Sequence, residues 1–128
     1  MNKKIIITGS IFGMIAIILG AFGAHALKNK LSIAELTTFE TGVRYQMYHA
    51  LFLLLLTTIP DLSQKTKQSV YYLVLLGVLL FSGSIYLLAT NRLTTFDFKI
   101  IGPLTPVGGI LLVTAWMLII INFLKKKL

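Results

Sequence analysis

His25 and His49 are the only imidazoles in a chain of 128 residues, and they are the first places to look for chemistry. An imidazole exchanges protons near neutral pH and ligates metals or haem iron. His49 stands in the stretch ETGVRYQMYHALFLLLL, Glu40 to Leu56, which opens polar and aromatic and ends as pure hydrocarbon. On a helix, Tyr45 and Gln46 share its face, whereas Glu40 and Arg44, four residues apart, lie opposite and are spaced to pair. The functional reading of His49 is ligand binding or proton handling. The plainer reading is a hydrogen bond to a neighbouring helix. For Arg44, Tyr45 and Tyr48 the plainer reading is interfacial anchoring.

Most other chemistry is missing. No third ligand stands at a spacing known for haem or metal sites, so no metal or cofactor is expected. The absence of cysteine removes disulfides, thiolate catalysis and thiolate-bound metals. No nucleophile–base pair, phosphate-cradling glycine loop or paired carboxylates are visible, and no enzyme activity is expected.

The composition explains where these residues must work. The chain is 56% hydrophobic and 12% charged, with mean hydropathy +0.86, more apolar surface than a soluble domain of this size can hide. Ile5–Leu27, Gln68–Asn91 and Ile100–Leu124 carry no formal charge, and each meets the roughly 20 residues needed to cross a bilayer. A shorter run from Tyr45 to Pro60 needs Arg44 to snorkel at its end. The expected fold is an all-α integral membrane protein, a bundle of four transmembrane helices over about 5–27, 44–60, 69–90 and 106–124 in one domain. The apolar core of the N-terminal segment exceeds the roughly 7–15 residues of a cleaved signal, which favours a retained first span.

Charge sets the expected orientation. Four spans place Lys3, Lys4, Lys65, Lys67, Lys125, Lys126 and Lys127 on one side, and Lys28, Lys30, Arg44, Arg92 and Lys99 on the other. The seven-to-five excess puts both termini in the cytoplasm. The formal net charge of +8 therefore serves lipid headgroups, and no basic face is left for nucleic acid.

The loops opposite the termini are the richer ones. Ser32 and Glu35 form a capping-box pattern that predicts a short helical segment in the first outer loop, running on through Tyr45 into the second span with a bend at Gly42. Thr105 before Pro106 predicts the cap of the last helix. The words LTTFE and LTTFD, 57 residues apart, hint at related hairpins.

Helix packing is predicted from small residues. Gly9, Gly13, Ala16, Gly20 and Gly23 fall within roughly a 100° arc and make one groove on the first helix. Gly77, Ser82, Gly83 and Ser84 extend the pattern to the third span. Such positions let helix backbones approach closely in lipid. The polar residues of the second span, together with His25, Thr105, Gly108 and Gly109, converge on the outer half of the bundle. They form a candidate polar cluster in which Tyr45, Gln46 and His49 meet the glycine-loosened start of the fourth helix.

Four motifs in order, GAFGAHAL, ETGVRYQMYHAL, LLFSGSIYLL and GPLTPVGG, resemble the domain-of-unknown-function 423 family, which is similar to eukaryotic transmembrane protein 256. The resemblance covers nearly the whole chain and implies a small multi-pass protein of the bacterial cytoplasmic membrane. It implies no molecular activity. The expected role is structural or accessory, with the lipid bilayer as surroundings and a homo-oligomer or membrane-protein partner. The alternatives are a carrier or conduit for a small solute or protons through the His49 cluster, and a haem- or quinone-binding redox component.

Overall fold

The computed structural model describes residues 1–126; Lys127 lies outside them. Four long helices account for most of the chain: α1 (Asn2–His25), α2 (Ile33–Leu56), α3 (Gln64–Ala89) and α4 (Leu104–Leu124). Two short 3-10 turns, Asn91–Leu93 and Phe98–Ile101, join α3 to α4.

By length and composition, three segments are apolar enough to cross a membrane: Asn2–His25, Gln64–Ala89 and Phe98–Leu124. The second helix is as long as the first, at 24 residues, but its N-terminal half carries the polar residues. Its beginning corrects one expectation. The capping box forms, with the Ser32 hydroxyl accepting from the Glu35 N–H and the Glu35 carboxylate accepting from the Ser32 N–H. The helix it starts is α2 itself, continuous through Gly42 to Leu56, so there is no separate loop helix and no break. A second correction concerns Thr105, which lies inside α4. That helix begins at Leu104 after Pro103, without a side-chain cap. LTTFE is helical and LTTFD lies in the connection of 3-10 turns and bends, so the shared letters mark no shared structure.

The helices run up, down, up and down. Lys67 Nζ, near the start of α3, donates to Asn2 Oδ1 at the start of α1, 3.2 Å away. The Ser63 N–H donates to Asn122 Oδ1 near the end of α4. The beginning of α1, the α2–α3 turn and the end of α4 therefore share one end of the bundle. Asp61 makes that turn in the left-handed region, with φ of 63°. Its short polar side chain makes this backbone less costly than for most residues.

Glycines set how close neighbours come, and they divide into two classes. A methyl built on Gly9 would meet the Ala50 carbonyl at 3.0 Å, and one on Gly23 would meet the Phe39 ring at 3.1 Å. The small-residue groove of α1 thus receives α2. Gly13 and Gly20 belong to the same groove, but each has ordinary room for a methyl, with nearest atoms at 3.7 and 3.5 Å. The α3–α4 crossing is tightest. A methyl on Gly108 would collide with the Phe81 backbone and sit 2.9 Å from the Gly77 carbonyl. A methyl on Gly77 would strike Leu112 at 2.7 Å. Gly83, expected to pack, faces open space.

These distances predict a contrast. Gly108→Ala must force two backbones apart and should cost about 1–3 kcal/mol, read as a lower melting temperature in detergent. Gly83→Ala should melt at or above the parent temperature, because alanine is worth up to about 1 kcal/mol over glycine in a helix. Equal melting of the two variants would show that the α3–α4 crossing is not close-packed.

Candidate functional site

The polar residues of α2 do not form one cluster. Gln46 and His49 are both 4% exposed, but a three-residue step turns their side chains towards different neighbours. Gln46 reaches into the junction of α1, α2 and α3. Its Nε2–H donates to the Phe12 carbonyl at 2.8 Å, and its Oε1 accepts from the Tyr86 hydroxyl at 2.6 Å. Those partners fix which end of the amide is which. Tyr86 can come so near because Gly42 has no side chain; a methyl there would lie 2.8 Å from the tyrosine ring. One turn back on α3, the buried Ser82 hydroxyl donates to the Gly42 carbonyl at 2.7 Å.

His49 faces α4. Its Nε2 accepts from the Trp116 indole N–H at 3.1 Å, and its Nδ1 lies 2.7 Å from the Tyr45 carbonyl. An indole only donates and a carbonyl only accepts, so these neighbours select the neutral imidazole with its proton on Nδ1. The ring is also held edge-on to Trp116, and Trp116 stacks on Phe52 at 4.0 Å with 10° between planes. Beside this group a groove of about 650 Å³ lies between α2 and α4, lined by Tyr45, His49, Phe81, Gly109 and Trp116 among others. Tyr45 packs its ring against Phe81 and is 41% exposed.

Tyr45, His49 and Gly109 therefore line one groove. The other candidates do not join them. Gln46 lies about 60° round α2 from His49 and serves α1 and α3 instead. Gly108 is spent on the backbone contact with Phe81 and Gly77. Thr105 hydrogen-bonds the buried Ser84 hydroxyl, tying α3 to α4. His25 is exposed in the last turn of α1. Arg44 donates to Thr41 Oγ1 at 3.3 Å, and no Glu40–Arg44 ion pair forms among the described residues. Four-residue spacing permits that pair, but an exposed one gains too little to hold two mobile side chains together.

Trp116 is the residue that sequence reasoning missed. A signal was present: the only tryptophan of the chain stands ten residues past Pro106, about 15 Å along α4 and away from the usual interfacial belt. An indole N–H at that depth needs an acceptor.

The loops opposite the chain ends hold one further constellation. Arg92 donates to Glu35 Oε1 at 2.7 Å and to the Lys30 carbonyl at 2.9 Å, joining the α1–α2 turn to the α3–α4 connection. The Glu35 carboxyl is held below its ordinary value chiefly by the Ser32 N–H. The Ser32 hydroxyl and the Arg92 charge add to this, against some desolvation. Among the described residues no group of three or more His, Asp or Glu could hold a metal ion.

The Gln46 arrangement predicts a double-mutant result. Gln46→Leu leaves the Tyr86 hydroxyl without its acceptor and should lower stability by about 1–3 kcal/mol in detergent. Adding Tyr86→Phe should cost much less than Tyr86→Phe alone, because the two side chains share one interaction. Strictly additive losses would show that the bond contributes nothing.

Residues 19–109 match the family described as Protein of unknown function (DUF423). The chain is 40% identical over 123 residues to a UPF0382 membrane protein of Staphylococcus saprophyticus, covering 96% of this chain and 98% of that one. It is 36% identical over 125 residues to the UPF0382 membrane protein YwdK of Bacillus subtilis, with 96% and 98% covered. It is 33% identical over 131 residues to the UPF0382 inner membrane protein YgdD of Escherichia coli, with 98% and 93% covered. No solved structure matches the chain.

Proposed function

The chain belongs to the DUF423 family of membrane proteins, and on that premise we propose that it is a four-span accessory component of the bacterial cytoplasmic membrane. Its buried polar side chains lock helix to helix and do not pass solute. One observation carries this reading: among the described residues, no buried side-chain nitrogen or oxygen lacks a hydrogen-bond partner. Conduction needs polar groups that exchange partners along a continuous path. Here they stand as separate ties, Gln46 with Phe12 and Tyr86, Ser82 with Gly42, His49 with Trp116, and Ser84 with Thr105.

Packing supports a fourth span for α2 that composition alone does not credit. The α1–α2 contact runs from Gly9 against Ala50 to Gly23 against Phe39. Fourteen residues of α1 cover about 21 Å, so α2 lies at the same depths as a helix that crosses the bilayer. Its polar groups are tolerated there because they bond to neighbouring helices. The lysine-rich end, with both chain ends and the α2–α3 turn, then faces the cytoplasm. A haem-ligating role for His49 draws no support from the geometry, because its Nε2 is taken by Trp116.

Two measurements test the proposal. Proteoliposomes holding the purified chain should dissipate an imposed proton gradient no faster than empty liposomes. A faster leak that disappears in His49→Phe would establish the conduit reading instead. Reporter fusions after Leu128 should read as internal, and fusions within Lys28–Lys30 as external. A C-terminal fusion reporting outside together with external Lys28–Lys30 fusions would leave an even number of crossings between them and remove α2 from the count, whereas the two readings exchanged would overturn the orientation.

A further inference from the structure

The lysine-rich end of the bundle is chemically lopsided. Among the described residues it gathers Lys3, Lys4, Lys65, Lys67, Lys125 and Lys126, against one side-chain carboxylate, Asp61. Asp61 is paired with Lys126 at 3.3 Å, and Lys67 is buried against Asn2. Lys65 is exposed, with no acidic partner among the described residues.

Lys65 opens a groove of about 650 Å³ between the first turns of α3 and the later part of α4, lined by Lys65, Gln68, Ser69, Tyr72, Leu73 and Leu118. Its chemistry changes with depth. Lys65, Gln68 and Ser69 make a cationic and hydrogen-bonding mouth. Leu73, eight residues and about 12 Å further along α3, begins the apolar floor, which Leu118 completes. Tyr72 stands between the tiers and is fixed there. Its ring packs on Tyr71 with centroids 4.9 Å apart, and its hydroxyl accepts from Lys4 Nζ at 3.4 Å. A second ammonium thereby lies beside Tyr72. Lys125 follows Leu118 by seven residues and so lies on the same side of α4, towards the mouth.

We propose that this groove binds one anionic phospholipid, with the phosphate at Lys65, Gln68 and Ser69 and an acyl chain along Leu73 and Leu118. The charge balance selects an anion. The polar-to-apolar grading selects an amphiphile, because a soluble phosphate makes no use of the leucines. A zwitterionic lipid brings the same phosphate together with a cation that the lysines repel. The inference is independent of the accessory role, and needs only that this end of the bundle sits at a membrane surface.

The test uses the full chain in detergent with equal amounts of dioleoylphosphatidylglycerol and dioleoylphosphatidylcholine, read by native mass spectrometry. A single phosphatidylglycerol adduct should be preferred by at least about fivefold, the worth of one lysine near an anionic headgroup. Lys65→Gln should lower that preference by about the same factor, and Lys65→Arg should restore it. Ser69→Phe fills the groove without altering charge and should also reduce the adduct. Lys99→Gln, at the other end of the bundle, should leave it unchanged. Equal losses in Lys65→Gln and Lys99→Gln would reduce the effect to diffuse attraction and overturn the site. Displacement of the lipid by millimolar inorganic phosphate would overturn it too, in favour of a soluble anion.

Discussion

A primary amide in the middle of a helix bundle has no water to turn to, and Gln46 shows what the fold does about it. Its two ends are bonded to different helices, the nitrogen to the Phe12 carbonyl of α1 and the oxygen to the Tyr86 hydroxyl of α3. Interhelical hydrogen bonds in membrane proteins are individually modest, averaging about 0.6 kcal/mol and reaching about 1.7. Leaving one partner unmade costs more, about 1–3 kcal/mol. The amide therefore acts less as glue than as a condition. Any arrangement that moves α1 or α3 away from α2 strands a polar group, and the alternatives are penalised more than the native state is rewarded.

That condition can be met only if the helices come close, and glycine is what lets them. Tyr86 reaches Gln46 across the bare backbone of Gly42, and the same bareness opens the Gly42 carbonyl to Ser82. At the α3–α4 crossing, Gly77 and Gly108 bring the backbones together a little inside the level where Ser84 meets Thr105. Lipid tails are as apolar as leucine, so no hydrophobic force drives this association. Close packing and a few hydrogen bonds do it instead.

Much of this was legible in the sequence, and what was not has a physical reason. Charge-free runs marked three helices because hydrocarbon tolerates little else, and the Ser32–Glu35 spacing marked the start of α2 because a capping box is local chemistry. The glycine arc on α1 was readable as a packing face. Which glycines are tight was not, because that depends on the partner: Gly9 meets a carbonyl, Gly13 only a methyl and a thioether, and Gly83 nothing. His49 looked like a site because an imidazole in a span is costly unless paired. Its partner lies 67 residues away, and no local rule connects them. Glu40 and Arg44 failed in the opposite sense. Their spacing is a local rule, but at an exposed position it decides little. Hydropathy scores Gln46 and His49 by residue type alone, whereas both are buried between helices.

Glycine grooves and hydrogen bonds fix different coordinates of the bundle. A groove of small residues sets the distance between two helix axes, but it holds no directional bond that fixes the register. A hydrogen bond tolerates no slip. Moving a helix by one residue shifts it about 1.5 Å and turns it about 100°, which takes a side chain out of bonding range. The ties are distributed to use this. Thr8 with Tyr71 holds α1 to α3 near the lysine-rich end, and Gln46 holds both to α2 further along. His49 with Trp116 holds α2 to α4, while Ser84 with Thr105 holds α3 to α4 towards the other end. Each pairing among the four helices except α1 with α4 has at least one tie, so no helix can translate without breaking a bond. The polar residues Gln46 and His49 of α2 thus write its register against all three of its neighbours.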